Sequence, residues 1–491
     1  MSTPGTSLPK LKPLPLPALD SPEYLTRLQT PFTPPPPTLT LKSIHAAVPK
    51  ELFLKSTTKG LWWVGRHVAI VFGLGWLALN SEQVVDTLVR ILGEKAGVAR
   101  SEQWSGLVNW VFWIAYWFWQ SVAFAGMWTL GHECGHDALS PIPWVNTVVG
   151  LFLHTSMITP YHAWRITHRR HHKGTNHLAH DETYHPFTRS DLKLPPIEKA
   201  TPMDYMGIIE ETPAFTTFKL VVRQFLGFQL YLLHNRKGNP KYPKGTSHYK
   251  PSSKFFKPED RTFSSYVLLL RSPLFTIKRP TLAEIGPSII LSDIFILLML
   301  SILTLWSHYR GFGEVWRVYF VPWLWAHNWI VMFTYLQHSD PTVPYYRGKD
   351  QWNFTRGALA TVDRPVFGWI GRFFWHGIAH DHVAHHFFVN VPFYNLPEVT
   401  EAIKPVLGEY YCYDPTPTLY ALWRSFTQCT FIEPEGDVVF FKNQRGEALR
   451  ALREDEVVMN VNRVKKEVGE GLSDVDEDED QEDQEMKRKD I

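Results

Sequence analysis

The chain has 491 residues and a formal net charge of +2, and 44% of its residues are hydrophobic. So small a charge excludes a nucleic-acid partner bound through bulk electrostatics. Cys134, Cys412 and Cys429 lie far apart and form no CxxC pair, which excludes a disulfide framework and a zinc ribbon and indicates a reducing compartment. The 20 Trp and 19 Tyr are typical of a protein at the membrane–water interface.

The N-terminal segment is rich in proline. Residues 1–40 contain eleven prolines, which predicts a flexible or polyproline II arm without regular elements. Residues 38–59 form an amphipathic lead-in with Lys50, Lys55 and Lys59 ahead of the first apolar stretch. This basic flank predicts a cytosolic N-terminus, and the absence of a signal-peptide pattern predicts that the first span acts as the insertion signal.

Four apolar stretches are each close to the roughly 20 residues that a helix needs to cross a bilayer. They are residues 61–80, 107–130, 285–306 and 318–337. The second carries no charge, whereas Asp293 lies inside the third. We predict an all-α integral membrane protein with these four transmembrane helices in two hairpins; buried helices of a soluble protein are the alternative.

The hairpins place the lumenal loops at about 81–106 and 307–313 and leave both termini in the cytosol. Residues 144–161 are apolar enough for a fifth span, but a span there would separate the histidine motifs described below. We therefore predict an interfacial or re-entrant segment there, and an amphipathic surface helix over 218–234. Residues 446–491 contain a long acidic run and are predicted to be a disordered tail.

The pattern HECGH follows the second apolar stretch and contains His132 and His136. Positions i and i+4 share one face of a helix, so both imidazoles can reach one metal ion. The pattern also fits HExxH, in which two histidines bind zinc and Glu133 acts as the base of a protease. An intramembrane zinc metalloprotease is therefore one alternative.

Two further motifs repeat the spacing HxxHH on the side of the membrane predicted to be cytosolic. Their histidines are His168, His171, His172, His382, His385 and His386. With HECGH, eight histidines are available, which is too many for one ion and suits two. Imidazole binds zinc, copper, iron and nickel. The absence of cysteine ligands favours two iron ions and oxidative chemistry, which neither a protease nor a non-enzymatic membrane scaffold needs.

These motifs resemble those of the membrane-bound fatty acid desaturases of the delta-12/omega-3 acyl-lipid type. The resemblance runs from about residue 40 to about 440 and rests on HECGHDALS, HRRHHKGT, YLQHSDPTVPYY, HGIAHDHVAHHFF and EAIKPVLGEYY. It implies one desaturase domain over residues 41–445, with a cytosolic helical cap that holds a histidine-ligated di-metal centre. It also implies the endoplasmic reticulum membrane, and Lys487 and Lys489 fit a dilysine-type retrieval signal there.

The resemblance implies a ninth iron ligand, His338, just after the fourth span. Thr334 stands where acyl-CoA desaturases have an asparagine, and His380 is not expected to be a ligand. Glu133, Asp181 and Asp381 are candidates to orient the ligand imidazoles. The remaining predictions concern the second histidine box, HRRHH (residues 168–172), and the residues after it. His177 and His180 are expected to be polar surface, and Arg169 and Arg170 are expected to point away from the ligand face.

The function implied is an oxygen-dependent desaturase that introduces a cis double bond into membrane-lipid acyl chains. The delta-12 position (oleate to linoleate) is expected first, with omega-3 (delta-15) or dual activity, or a related hydroxylase, epoxygenase or acetylenase, as alternatives. Dioxygen is the co-substrate. Because no HPGG heme-binding pattern is present, a separate cytochrome b5 with its reductase is expected to supply the electrons.

Overall fold

The structure is a computed structural model, and it describes residues 19–96, 102–205, 212–256, 285–348 and 351–453. Regular structure there is helical apart from one two-stranded sheet, in which β1 (Tyr345–Tyr346) pairs antiparallel with β2 (Val438–Val439). The helices are α1 (Pro22–Gln29), α2 (Leu41–Ala46), α3 (Thr57–Leu79), α4 (Ser81–Ala96), α5 (Glu102–Gly135), α6 (Pro143–Thr155), α7 (Tyr161–Gly174), α8 (Pro213–His234), α9 (Ile285–Arg310), α10 (Phe312–Val315), α11 (Val321–His338), α12 (Phe354–Leu359), α13 (Trp369–Phe374), α14 (His382–Phe387), α15 (Leu396–Leu407) and α16 (Thr418–Gln428).

Shorter turns connect several of these helices. A π-helical turn, Trp316–Phe320, runs directly into α11. The 3-10 turns are Lys50–Phe53, Ile197–Lys199, Pro202–Tyr205, Phe393–Asn395 and Gly408–Tyr410.

Among the described residues, two helices are long and apolar enough to cross a membrane: Thr57–Leu79, and α9 over Ile289–Arg310. Large apolar side chains on both are exposed, among them Phe72, Trp76 and Leu297. Exposed apolar faces on long helices fit contact with lipid. The structure thus supports a largely helical membrane protein, while the arrangement of four spans in two hairpins stays a prediction.

Helix α5 carries the first histidine motif beyond its apolar stretch. The helix has 34 residues, which at 1.5 Å per residue makes it about 50 Å long, well beyond the ~30 Å of a hydrocarbon core. It packs against α3, α4, α6 and α11. The segment predicted as a lumenal loop, 81–106, is itself helical over α4, which buries Val85 and Val89.

Helix α11 lies at the centre of the fold, between α5 and α8. Its indole Trp329 Nε1 donates to Ser121 Oγ on α5 at 2.9 Å, and Trp375 Nε1 donates to the Val122 carbonyl at 3.1 Å. These indole bonds join α5, α11 and the segment after α13 in one buried layer. The C-terminal end of α11 therefore lies next to that of α5.

A buried ion cluster fixes the chain just after α11. Arg364 pairs with both Asp340 and Asp414, and Arg424 also pairs with Asp414. Arg364 Nε in addition donates to the Leu336 carbonyl at 2.9 Å, in the last turn of α11. Because burial makes each of these charges dependent on its partners, the cluster holds the position of His338 firmly.

The prediction of an arm without regular elements over residues 1–40 is wrong for α1. Ser21 caps this helix by accepting from the Tyr24 amide at 3.2 Å, and Pro22 occupies the first turn, where proline is tolerated. Tyr24 is buried beneath the Arg424 guanidinium. Local capping and tertiary burial together outweigh the high proline content. Residues 1–18 lie outside the described part.

The predicted disordered tail begins too early. The Phe32 amide donates to the Ala451 carbonyl at 2.8 Å, and the Arg453 amide donates to the Phe32 carbonyl at 3.1 Å. Residues 446–453 are therefore tied to the N-terminal segment rather than forming a free tail. The remainder of the predicted tail, 454–491, lies outside the described residues.

Candidate metal centre

The first histidine cluster consists of five imidazoles whose ligand atoms all lie within 4.8 Å of one another. Its members are His132, His136, His168, His172 and His385. The i,i+4 pair at the end of α5 brings its Nε2 atoms to 3.3 Å, and the i,i+4 pair on α7 brings its Nε2 atoms to 3.1 Å. The two helices meet where His168 Nε2 lies 2.8 Å from His132 Nε2.

The second histidine cluster contains His171, His338 and His386, again within 4.8 Å of one another. His382 belongs to it as well, because its Nε2 atom lies 3.0 Å from the Nε2 atoms of both His338 and His386. The two clusters adjoin, since the rings of His172 and His386 stack with centroids 4.1 Å apart. All nine predicted histidines are thus gathered in two adjacent groups; their role as ligands stays a prediction.

The donor set fits metal cations. Burial, reinforced by neighbouring imidazoles, lowers the pKa of several members well below the usual range, so these rings are neutral and carry a free lone pair. They are His136, His168, His172, His382 and His386. Neither ring nitrogen of buried His385 has a hydrogen-bond partner among the described residues.

Two carboxylates define which ring nitrogens face into the clusters. Glu133 Oε1 lies 3.0 Å from His132 Nδ1, and Asp181 Oδ1 lies 2.6 Å from His171 Nδ1. Each carboxylate oxygen accepts a hydrogen bond from the Nδ1–H group of its histidine. The Nε2 atom of that histidine therefore presents its lone pair to the other imidazoles of its cluster. Bare lone pairs that face one another at about 3 Å repel, and a cation between them removes that repulsion.

Asp381, the third candidate carboxylate, does not orient an imidazole. It pairs with Arg372 and accepts from Thr400 Oγ1 at 3.0 Å. Asp381 lies just before α14, and its side chain points toward Thr400 on α15 rather than toward the histidines. Thr175, which the sequence did not single out, contacts a ring instead: its Oγ1 lies 3.1 Å from His386 Nδ1.

The other histidines of the motifs lie outside both clusters. His380 Nε2 donates to the Gly368 carbonyl at 3.1 Å, as expected of a non-ligand. His180 is exposed, but His177 is buried against Trp352, so the prediction of polar surface is wrong for His177. The tight turn after α7 brings His177 inward, and its Nδ1 accepts from the Ala179 amide.

The arginines of the second box point away from the clusters. Arg169 Nη2 donates to Asp137 Oδ2 at 2.6 Å, together with Arg165 Nη2 at 2.8 Å from the same carboxylate. Arg170 Nη1 donates to the Phe255 carbonyl at 2.6 Å. The guanidinium groups are therefore neutralised or hydrogen-bonded away from the imidazoles.

A cavity of about 550 Å³ leads away from the histidines. Histidines of both clusters line one end, and α5, α8 and α11 supply apolar walls that include Trp128, Phe228 and Val331. The Tyr184 hydroxyl bonds Thr334 within the wall, and the Tyr184 ring stacks on that of His338 with centroids 6.2 Å apart. Apolar walls of this kind suit an aliphatic chain.

A zinc protease does not fit this geometry. A catalytic zinc takes three protein ligands and one open position, whereas His132 and His136 share their cluster with three further imidazoles. A second cluster adjoins it. The HExxH pattern is therefore part of a larger histidine site.

Comparisons with known proteins agree with the histidine site described above. A sequence model of the fatty acid desaturase family matches residues 107–416. The chain is 38% identical over 411 residues to a delta(12) fatty acid desaturase of Mortierella alpina, covering 83% of this chain and 91% of that protein. It is 32% identical over 436 residues to an oleate hydroxylase of Claviceps purpurea, covering 83% and 82%.

A third relative is an omega-6 fatty acid desaturase of the endoplasmic reticulum from Brassica juncea. The identity is 35% over 329 residues, covering 67% of this chain and 75% of that protein. The family match includes all nine clustered histidines. The chain therefore belongs to the fatty acid desaturase family of oxidoreductases, as the histidine motifs had indicated.

Proposed function

We propose that the protein introduces a cis double bond at the delta-12 position of oleoyl chains carried by membrane lipids. The main support is that one apolar cavity is lined by histidines of both clusters, so an aliphatic chain can lie directly beside the metal centre. The naming of the Mortierella alpina relative as a delta(12) desaturase supports the position. Omega-3 or dual desaturation, and hydroxylation as in the Claviceps purpurea relative, are the alternatives.

Two iron ions are proposed as the resident metals. The first would be held by His132, His136, His168, His172 and His385, and the second by His171, His338, His382 and His386. When bound, this centre supplies the activation of dioxygen needed to remove hydrogen from two unactivated methylenes. Overall, one –CH2–CH2– unit, dioxygen, two electrons and two protons give one double bond and two waters.

The protein's own residues bind the chain, orient it and exclude water. Trp128, Phe228 and Val331 cover the apolar walls, so the methylenes next to the histidines are kept from solvent. The Tyr184–Thr334 hydrogen bond fixes one wall beside His338. Glu133 and Asp181 hold the imidazoles of His132 and His171 in the orientation that points Nε2 into the clusters.

The cellular setting proposed follows from the same assignment. Four spans, near 61–80, 107–130, 285–306 and 318–337, would anchor the enzyme in the endoplasmic reticulum with both termini in the cytosol. A separate cytochrome b5, reduced by its reductase, would deliver the electrons on the cytosolic side. The exposed apolar faces of α3 and α9 support membrane insertion.

Expression in a yeast that makes oleate but no dienoic acid, followed by gas chromatography, tests the function. The native chain should yield linoleate, and His171→Ala and His385→Ala should abolish it, because each removes a member of one cluster. His180→Ala, at an exposed histidine that follows the HRRHH motif and lies outside both clusters, is the control and should keep the activity. A hydroxylated or delta-15 product would favour an alternative; unchanged lipids with all forms well expressed would refute the proposal.

A further inference from the structure

Thr175 connects a histidine of the second cluster to a tryptophan at the protein surface. Its hydroxyl donates to the His171 carbonyl at 2.8 Å, so the same oxygen is free to accept from His386 Nδ1, which lies 3.1 Å away. The Thr175 carbonyl accepts from the indole Nε1–H of Trp352 at 3.0 Å. Thr175 is buried, whereas Trp352 is only half-buried. We name Trp352, Thr175 and His386 the tryptophan route.

The contact between Trp352 and Thr175 depends on a glycine. A Cβ atom on Gly357, in α12, would stand 2.7 Å from the Thr175 carbonyl oxygen and 2.9 Å from Trp352 Nε1. Both distances are too short for a side-chain carbon, so glycine is needed for this close approach. On another side, the buried ring of His177 packs edge-on against the indole, with centroids 5.4 Å apart. The local packing therefore holds the indole N–H against the Thr175 carbonyl.

Other clustered imidazoles have no comparable connection within the described ranges. The Nδ1 atoms of three of them have no hydrogen-bond partner there, namely those of His172, His338 and His382. The Nδ1 atoms of His132 and His171 contact carboxylates and a threonine hydroxyl, none of which belongs to an aromatic side chain. Among these rings, His386 alone is connected through hydrogen bonds to an aromatic residue that reaches the surface.

The proposed function needs a connection of this kind. Its reaction takes two electrons from a separate protein, and that protein cannot touch the buried histidines directly. Electron transfer weakens more steeply across open gaps than along covalent and hydrogen bonds, and an aromatic ring at the surface shortens the distance to a docked donor. Neither Trp352 nor Thr175 lines the cavity. The tryptophan route and the acyl chain therefore occupy different parts of the protein.

We propose that electrons enter the metal centre through Trp352, Thr175 and His386, from a heme protein docked over the Trp352 indole. The proposal rests on the desaturase function and the two iron ions proposed above, and it adds the place of electron entry. In each transfer the ferrous heme of the donor becomes ferric, and one ferric ion of the centre becomes ferrous. Two such transfers supply the two electrons of the overall reaction, and the indole itself is left unchanged.

Stopped-flow spectroscopy tests the tryptophan route without measuring a lipid product. Purified iron-loaded enzyme is mixed with the soluble heme domain of cytochrome b5 in its ferrous form, and oxidation of the heme is followed by its absorbance. We expect Trp352→Leu and Gly357→Ala each to slow this oxidation severalfold, because the first removes the indole and the second displaces it from Thr175. Trp423→Phe, at an exposed tryptophan of α16, is the control and should leave the rate unchanged.

Reduction by dithionite separates a slower electron route from a damaged metal site. This small reductant needs no docked protein, so it should reduce the native chain and Trp352→Leu equally fast, at equal iron content. Hydroxyl-radical footprinting of the native holoenzyme should show that the heme domain protects Trp352 from oxidation. Unchanged heme oxidation in both variants, equal slowing with dithionite, or no protection of Trp352 would each overturn the proposal. If native enzyme reduced by dithionite forms no dienoic product from oleoyl lipid and dioxygen, the proposed function itself fails.

Discussion

The carboxylate beside His171 offers a quantitative test of the metal centre. Asp181 is buried, and its Oδ1 lies 2.6 Å from His171 Nδ1. Asp181→Asn keeps the size of the side chain but removes the charge that holds the Nδ1 proton. The Nε2 atom of His171 then loses basicity and fixed orientation toward the second histidine cluster.

Two independent estimates give the expected loss of metal affinity. Removing a residue that orients a metal-bound histidine costs about 10- to 100-fold in metal affinity, and a hydrogen bond to a charged group is worth about 1.5–3 kcal/mol. At 1.4 kcal/mol per tenfold, these figures agree. Only the second cluster is affected directly, so Asp181→Asn should retain about one iron per chain under a chelator concentration at which the native protein retains two.

Metal analysis after graded chelation measures this directly and does not depend on activity. Asp137→Asn is the control: Asp137 follows His136 immediately, but its carboxylate binds Arg165 and Arg169 and contacts no imidazole. Its left-handed backbone, with φ of 56°, also suits asparagine. Iron retention equal to that of the native protein in Asp181→Asn, at equal thermal stability, would refute the orienting role of Asp181.

Three further predictions concern the cap and the cavity. Arg364→Met leaves buried Asp340 and Asp414 without their shared partner. Thermal unfolding should show a loss of stability of about 3–5 kcal/mol. Lys404→Gln, which removes only a surface ion pair, is the control and should have no measurable effect. Burial raises the pKa of Asp363 to about 8; its neutral form favours the folded state, so that contribution is full below the unfolded pKa of about 3.9 and is lost as pH rises through 8. Asp363→Asn should therefore flatten the fall in unfolding temperature between about pH 4 and 8, and an unchanged profile would contradict this. Tyr184→Phe removes the bond to Thr334 and should lower linoleate yield or add positional isomers in gas chromatography, with iron content unchanged; an identical product profile would argue against a role in positioning.

Hydrophobic patterning located much of the fold. The stretch 61–80 corresponds to α3 and 285–306 to α9, because each needs an apolar surface of helical length. Helix ends depend on other forces and were less predictable. Ser56, whose Oγ accepts from the Lys59 amide at 3.3 Å, begins α3 four residues earlier than the apolar pattern does. Composition failed at α1, where burial of Tyr24 outweighs the proline content.

The candidate site was predictable as far as helical spacing reaches. His132 and His136, one turn apart, could be paired from the sequence alone, and the desaturase resemblance added His338. Contacts between distant segments carry no local signal: Thr175 meets His386 across 211 positions of the chain. Proximity in sequence can also mislead. Asp381 directly precedes His382, but its carboxylate forms an ion pair with Arg372 and does not contact a clustered imidazole.

The spacing HxxHH explains how one short helix can supply imidazoles to two adjacent clusters. Successive residues of a helix are rotated by about 100°, so i and i+4 point nearly together while i+3 is turned away from i+4. On α7, His168 and His172 accordingly join the first cluster and His171 the second.

Helix α14 carries the same motif in the opposite sense: His382 and His386 join the second cluster and His385 the first. Each HxxHH box therefore contributes to both clusters, and neither cluster can be filled by one box alone. HECGH lacks the i+3 histidine and serves only the first cluster, so the three motifs together supply five imidazoles to the first cluster and three to the second. His338 at the end of α11 is the fourth imidazole of the second cluster, and only the desaturase resemblance had indicated it.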